Sequence, residues 1–209
     1  MTSPLHKKHN FDPVFDSQKA FRLLLEAQSY PLRVLDLGAC IEKMAGDSEN
    51  SDNVAWGRDA ILVLGMTLLD TEVSFAVVNG AVARCALAEE VTTLTLSGLV
   101  ELFEADFIFV DKEGDVVTAI KNAKSGTLAD PHKSATIVVY DSGPLDHEVA
   151  FYGPGIDGRI TKRVSRRVIE AIAARDMQYY EYPQGVDLFF VSDAGDLFAL
   201  PRTVRMDGN

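Results

Sequence analysis

The chain has 209 residues, 47% hydrophobic and 24% charged, which is the composition of an ordinary globular protein long enough to bury a core without disulfides or metals. Acidic residues outnumber basic ones 31 to 20, and the formal net charge of −11 disfavours nucleic acid and anionic membranes as partners unless a local basic patch intervenes. Cys40 and Cys85 stand apart without metal-type spacing, and the sequence leaves open whether they approach one another. The opening Met1–Asn10 lacks the apolar core of a signal peptide, and the apolar stretch Ala60–Leu69 is too short to span a bilayer, so a cytoplasmic protein is expected.

In chain order, residues 1–12 read as a flexible tail and residues 13–209 as one α/β domain. An amphipathic helix starts at Asp12-Pro13 or Asp16 and carries Phe21, Leu24, Leu25 and Gln28 at i, i+3, i+4, i+7. It ends near Ser29, because the residue before Pro31 is pushed out of the helical region. A short strand over Leu32–Leu37, a polar loop from Gly46 to Gly57, a mostly buried helix over Arg58–Leu69 and a buried strand over Val73–Val78 follow. Ala83–Phe103 stays undecided: Leu87, Val91 and Leu94 have helical spacing, whereas Thr92, Thr93 and Thr95 favour a strand.

Asp106–Val110 is a strand, Asp111–Gly114 a turn and Asp115–Ala123 a short helix. Ala135–Tyr140 and Glu148–Tyr152 are strands separated by the turn Asp141–Pro144. Ile160–Arg175 is the strongest helix, with Ile160, Val164, Val168 and Ile172 four apart on one stripe. Val186–Val191 and Leu197–Leu200 form a hairpin across Asp193–Asp196. Strands interleaved with helices predict a layered α/β fold, and the terminal hairpin makes its sheet mixed.

No metal site is expected, since His6 and His9 lie in the tail while His132 and His147 are far apart in sequence. Walker A, Gly-x-Ser-x-Gly and complete dinucleotide fingerprints are missing. Gly153 and Gly155, between a strand and the strongest helix, could let a backbone approach an anion. Lys162, Arg163, Arg166 and Arg167 follow, and on one helix face they would form a phosphate or phosphonate cradle; the plainer reading is a tight turn and a solvated or partner-facing basic face. Asp187 interrupts an apolar strand, so its carboxylate needs backbone N–H groups or an arginine such as Arg202. Lys121 and Lys124, the candidates for a Schiff-base lysine, read as solvated.

Several segments together resemble one family. The opening Phe15–Pro31, with its Phe21-Arg22 pair, leucines and a stop at Pro31, is similar to the start of PhnH, a subunit of the bacterial phosphonate carbon–phosphorus lyase core complex. Tyr182-Pro-Gln-Gly185-Val-Asp187 and Leu200-Pro201-Arg202-Thr203 look like its closing signature, with Gly126-Thr127 and Gly153–Ile156 in order between them. The resemblance spans about Phe15 to Thr203 and is loosest over Gly46–Phe103.

It implies a three-layer α/β/α sandwich, similar to the large domain of pyridoxal-phosphate-dependent transferases but without that cofactor's site and with no cofactor of its own. It also implies PhnG, PhnI and PhnJ as partners, and a homodimer in isolation. The reaction implied displaces adenine from ATP with an alkylphosphonate to give α-D-ribose 1-methylphosphonate 5-triphosphate. This chain would be a required accessory subunit with no catalytic residue to assign and no turnover alone. The residues themselves leave two alternatives: a stand-alone small-anion binder built on Gly153–Arg167, or a phosphate-handling or pyridoxal-phosphate enzyme.

Overall fold

A computed structural model describes residues 9–45, 56–80 and 86–207. The helices are α1 (Phe15–Ser29), α2 (Gly38–Ala45), α3 (Trp56–Leu68), α4 (Ala86–Thr95), α5 (Val116–Asn122) and α6 (Arg166–Asp176). The strands are β1 (Leu35–Asp36), β2 (Ser74–Val78), β3 (Gly98–Leu99), β4 (Phe107–Val110), β5 (Thr136–Asp141), β6 (His147–Tyr152), β7 (Ile160–Val164), β8 (Asp187–Ser192), β9 (Asp196–Leu200) and β10 (Arg205–Met206).

Seven strands form a mixed sheet in the order β1-β9-β8-β5-β4-β2-β3. Its β3, β2, β4, β5 and β8 run parallel; at one edge β9 is antiparallel to β8, and β1, antiparallel to β9, runs with the parallel strands again. Successive side chains alternate between faces. Phe75, Phe109, Val138 and Phe189 face the layer of α1–α4, meeting Leu24, Ile41, Ile61 and Val91. Ile108, Ile137, Val139 and Phe190 face α5 and α6, meeting Ile120, Val168 and Ile172. A second, antiparallel sheet, β10-β6-β7, joins that layer through Phe151, Val164 and Val204. The architecture is a three-layer α/β/α sandwich with a mixed central sheet.

Four sequence expectations change. First, the packed chain reaches back past residue 12: Phe11 is buried, and the Asn10 amide donates to the Lys43 carbonyl at 2.8 Å. Second, α1 buries Asp16, Ala20, Leu24 and Ala27, while Phe21 and Leu25 are about half exposed, at 46% and 53%. Small residues occupy the buried stripe where α1 lies against α3 and β9.

Third, the undecided stretch contains α4 and then β3. The hydroxyls of Thr93 and Thr95 donate to the carbonyls of Glu89 and Val91, at 2.7 and 2.8 Å, so these β-branched residues sit in a helix with their polar atoms satisfied. Fourth, Ile160–Val164 is strand and only Arg166–Asp176 is helix. Ile160 pairs with Phe151 and Val164 with His147, and Ser165 caps α6 by accepting the Val168 N–H at 3.2 Å. A spacing of four is a multiple of two, so Ile160 and Val164 fit a strand period as well as a helical one.

The loop at residues 46–55, His6 and Cys85 lie outside the described residues; Cys40 is buried in the α1–α4 layer.

Candidate functional site

At the amino ends of β5 and β8 the motifs from distant parts of the chain come together. Asp187 opens β8, and its Oδ1 accepts the Arg202 backbone N–H at 2.8 Å while Oδ2 accepts Arg202 Nε at 3.1 Å. Both partners the sequence offers this carboxylate are therefore engaged. Arg202 Nη1 also donates to the Pro131 carbonyl at 2.9 Å, tying the loop before β5 to the segment after β9. Gln184 Nε2 donates to the Gly126 carbonyl at 3.0 Å, and the Gly185 N–H to the Ser125 carbonyl at 3.0 Å.

The glycines serve the same junction. Gly153 has φ 140°, and a Cβ there would lie 2.9 Å from the Thr203 carbonyl oxygen. Gly155 has φ 84°, and its Cβ would lie 2.8 Å from Pro31 Cδ. Arg175 completes the clasp from α6. Its guanidinium, 1% exposed, donates to the carbonyls of Leu200, Pro201 and Val204 and reaches the Asp176 carboxylate. Burial pulls its pKa below the ordinary value, with the Asp176 charge opposing.

The clasp thus gathers Pro31, Gly126, Gly153, Gly155, Gly185, Asp187, Pro201, Arg202 and Thr203. Phe21 and Arg22 are not part of it; they stand exposed on α1.

The basic residues do not share a helix face. Lys162 and Arg163 are consecutive on β7 and so point to opposite sides. Arg166 is exposed and donates to Glu170 Oε1 at 2.8 Å. Arg167 is half-buried and donates to the carbonyls of Asp111, Lys112 and Gly114 at 2.7 to 3.0 Å, holding the turn after β4. Gly153 and Gly155 belong to the connection between β6 and β7, not to a helix N-terminus. Lys124, read from sequence as solvated, pairs with Asp106 and donates to the Glu104 carbonyl.

A different region lies at the carboxyl ends of β5 and β8, where ligand crevices of open parallel sheets form. Here a cavity of about 260 Å³ has walls of Val34, Leu145, Val164 and Phe198. Phe198 is stacked on Phe190, with ring centroids 5.0 Å apart. Asp141 lies at its base, where Oδ2 accepts the Ser165 hydroxyl at 2.6 Å and Oδ1 the Gly143 N–H at 3.0 Å. Arg163, Asp193 and Asp196 bring further charges to its lining, beside Ser142 and Ser192. Sequence reasoning missed this crevice, whose lining runs from Val34 to Phe198; the one local signal was Asp141 closing an apolar strand.

Among the described residues, no group of three or more His, Cys, Asp and Glu side chains could hold a metal ion, and no helix is long and apolar enough to cross a membrane. Buried Ser165 caps α6 and donates to Asp141, an arrangement that positions backbone rather than activating a nucleophile.

These features define an α/β/α sandwich protein whose buried charges hold chain segments together, with an open crevice at the far end of its sheet. The sequence matches the family described as bacterial phosphonate metabolism protein (PhnH) over residues 9–207. The chain belongs to that family, and its role lies in bacterial phosphonate metabolism. No curated protein matches the chain.

Proposed function

We propose that the chain is a non-catalytic accessory subunit of the carbon–phosphorus lyase core complex, working in the cytoplasm beside PhnG, PhnI and PhnJ. In this reading it is required for the displacement of adenine from ATP by an alkylphosphonate, giving α-D-ribose 1-methylphosphonate 5-triphosphate. Alone it would pair with a second copy and show no turnover. The observation that carries the reading is the family match over residues 9–207. The use of Asp187, Arg202, Arg175 and Arg167 in internal hydrogen bonds agrees with a structural, assembling role. The small-anion alternative loses the shared helix face on which it rested, because Lys162 and Arg163 lie on β7.

The test is co-expression of the tagged chain with PhnG, PhnI and PhnJ from one source, followed by assay for the ribose phosphonate product. A stoichiometric complex that makes the product, and fails to when this chain is omitted, is the expected result. A chain that purifies alone with all three partners folded, or a product yield indifferent to its omission, overturns the reading.

A further inference from the structure

The crevice at the carboxyl ends of β5 and β8 combines apolar walls with an acidic rim. Val34 and Leu145 are 54% and 58% exposed, yet both line one concave site with Phe198. Exposed apolar side chains scattered singly need no explanation, but converging ones in a concavity mark a contact surface.

The second observation is electrostatic. In the β1–β9 register Asp36, whose Oδ1 accepts the Gly38 N–H at 2.7 Å at the start of α2, lies directly opposite Asp196, on the face that carries Val34 and Phe198. Like charges directly opposed across an antiparallel pair are destabilising. Asp193, in the adjoining turn, is exposed and adds a third carboxylate at the rim, above Asp141 at the base, against the single Arg163 of the lining. A cation placed there would relieve the repulsion, whereas an anion would meet it.

We propose that this crevice seats a segment of a partner subunit that inserts an apolar side chain between Val34, Leu145 and Phe198 and sets Lys or Arg beside Asp36, Asp193 and Asp196. The inference rests on the accessory-subunit reading above and assigns that reading a docking surface. Apolar insertion supplies the affinity and the acidic rim supplies orientation and approach rate.

The test uses the full chain, co-expressed with PhnG, PhnI and PhnJ, in four forms: wild type, Leu145→Asp, Asp193→Lys/Asp196→Lys, and the control Glu42→Lys/Glu72→Lys, which makes the same charge change at exposed positions elsewhere. Thermal melting of each purified chain reports folding. The expected result is that both crevice variants melt with the wild type but lose on the order of tenfold or more in partner retention, while the control retains its partners. Raising salt should weaken wild-type retention, since rim charges are screened beyond a Debye length.

Crevice variants that keep their partners overturn the inference and leave the accessory-subunit reading standing. A wild-type chain that retains no partner overturns both. Crevice variants that keep the partners but turn a wild-type dimer into a monomer assign the crevice to self-pairing and equally overturn the inference. Should Leu145→Asp fail to fold, the charge-reversal pair alone decides.

Discussion

The two ends of the central sheet use polar residues in opposite ways. At the amino ends, Arg202 and Arg175 donate to the carbonyls of Pro131, Leu200, Pro201 and Val204, and Asp187 accepts from Arg202, so every charge is directed at another part of the same chain. At the carboxyl ends, Asp36, Asp193 and Asp196 face solvent beside exposed Val34 and Leu145. A charge satisfied from within stabilises the fold and is unavailable to a ligand. A charge left at a rim contributes little to stability but remains free to select a partner. Substitutions at the two ends should therefore separate cleanly into losses of stability and losses of binding.

The largest effect is expected at Arg175. Arg175→Ala removes a fully buried guanidinium and its hydrogen bonds to three carbonyls, so a loss of about 4 kcal/mol is expected in urea unfolding. A loss below about 1 kcal/mol would mean that water replaces the guanidinium and that the clasp is open to solvent.

Arg202→Ala comes next, at about 3 kcal/mol, because it strands the buried Asp187 carboxylate and frees the loop at Pro131. The double variant Asp187→Asn/Arg202→Ala should cost less than the sum of the two single changes, since each single change already breaks the pair. Strict additivity would show that the two residues act separately and that the clasp is not one unit.

How much of this contrast the sequence carries follows from how each feature is encoded. A carboxylate in an apolar strand demands a partner, so burial cost made it legible that Asp187 is held by backbone N–H groups or by an arginine such as Arg202, and the structure uses both. The β8–β9 hairpin was legible because two short apolar runs flank a tight turn around Gly195. Arg175 was not, because an arginine near the end of a helix is ordinarily solvated; only its position on the stripe of Val168, Ala171 and Ile172 betrays it. The start of α6 was misread because a spacing of four satisfies both periodicities at Ile160 and Val164. The buried face of α1 was misread because apolarity at Phe21 and Leu25 outweighed the small residues Ala20 and Ala27, whose value lies in close approach. The crevice was invisible because only the antiparallel return of β9 and β1 brings Val34 and Phe198 beside Leu145.

Asp16 extends the internal pattern to the other face of the sheet and adds a pH dependence. This carboxylate, 1% exposed, accepts Lys43 Nζ at 2.7 Å and the Asp12 N–H at 2.9 Å, joining α1 to α2. Burial works to raise its pKa, but the Lys43 and Asp12 hydrogen bonds and the Lys43 and Lys19 charges outweigh it, so the folded value is lowered. A lowered folded value means the carboxylate stabilises the fold fully above its unfolded pKa of about 3.9 and loses that contribution as pH falls through the folded value. Asp16→Asn should therefore be less stable than wild type near neutrality by an amount smaller than for the clasp variants. The difference should narrow as pH drops below about 4. A gap that stays constant down to the acid transition would show that the Asp16 hydrogen bonds matter without its charge.

The smallest stability effect is expected in the crevice, and its smallness is the point. Leu145 is more than half exposed on the β5–β6 connection, so Leu145→Ser removes little buried area and should shift unfolding by less than about 0.5 kcal/mol. Asp196→Asn should be neutral or slightly stabilising, because it removes one of two carboxylates facing each other across β1 and β9. Asp36 serves the fold, its Oδ1 accepting the Gly38 N–H at 2.7 Å at the start of α2, so the cost of the repulsive pair falls on keeping Asp196 beside solvent-facing apolar side chains. If Asp196→Asn instead destabilised the chain by more than about 1 kcal/mol, the carboxylate would belong to the fold after all. The two ends of the sheet would then differ in exposure but not in purpose.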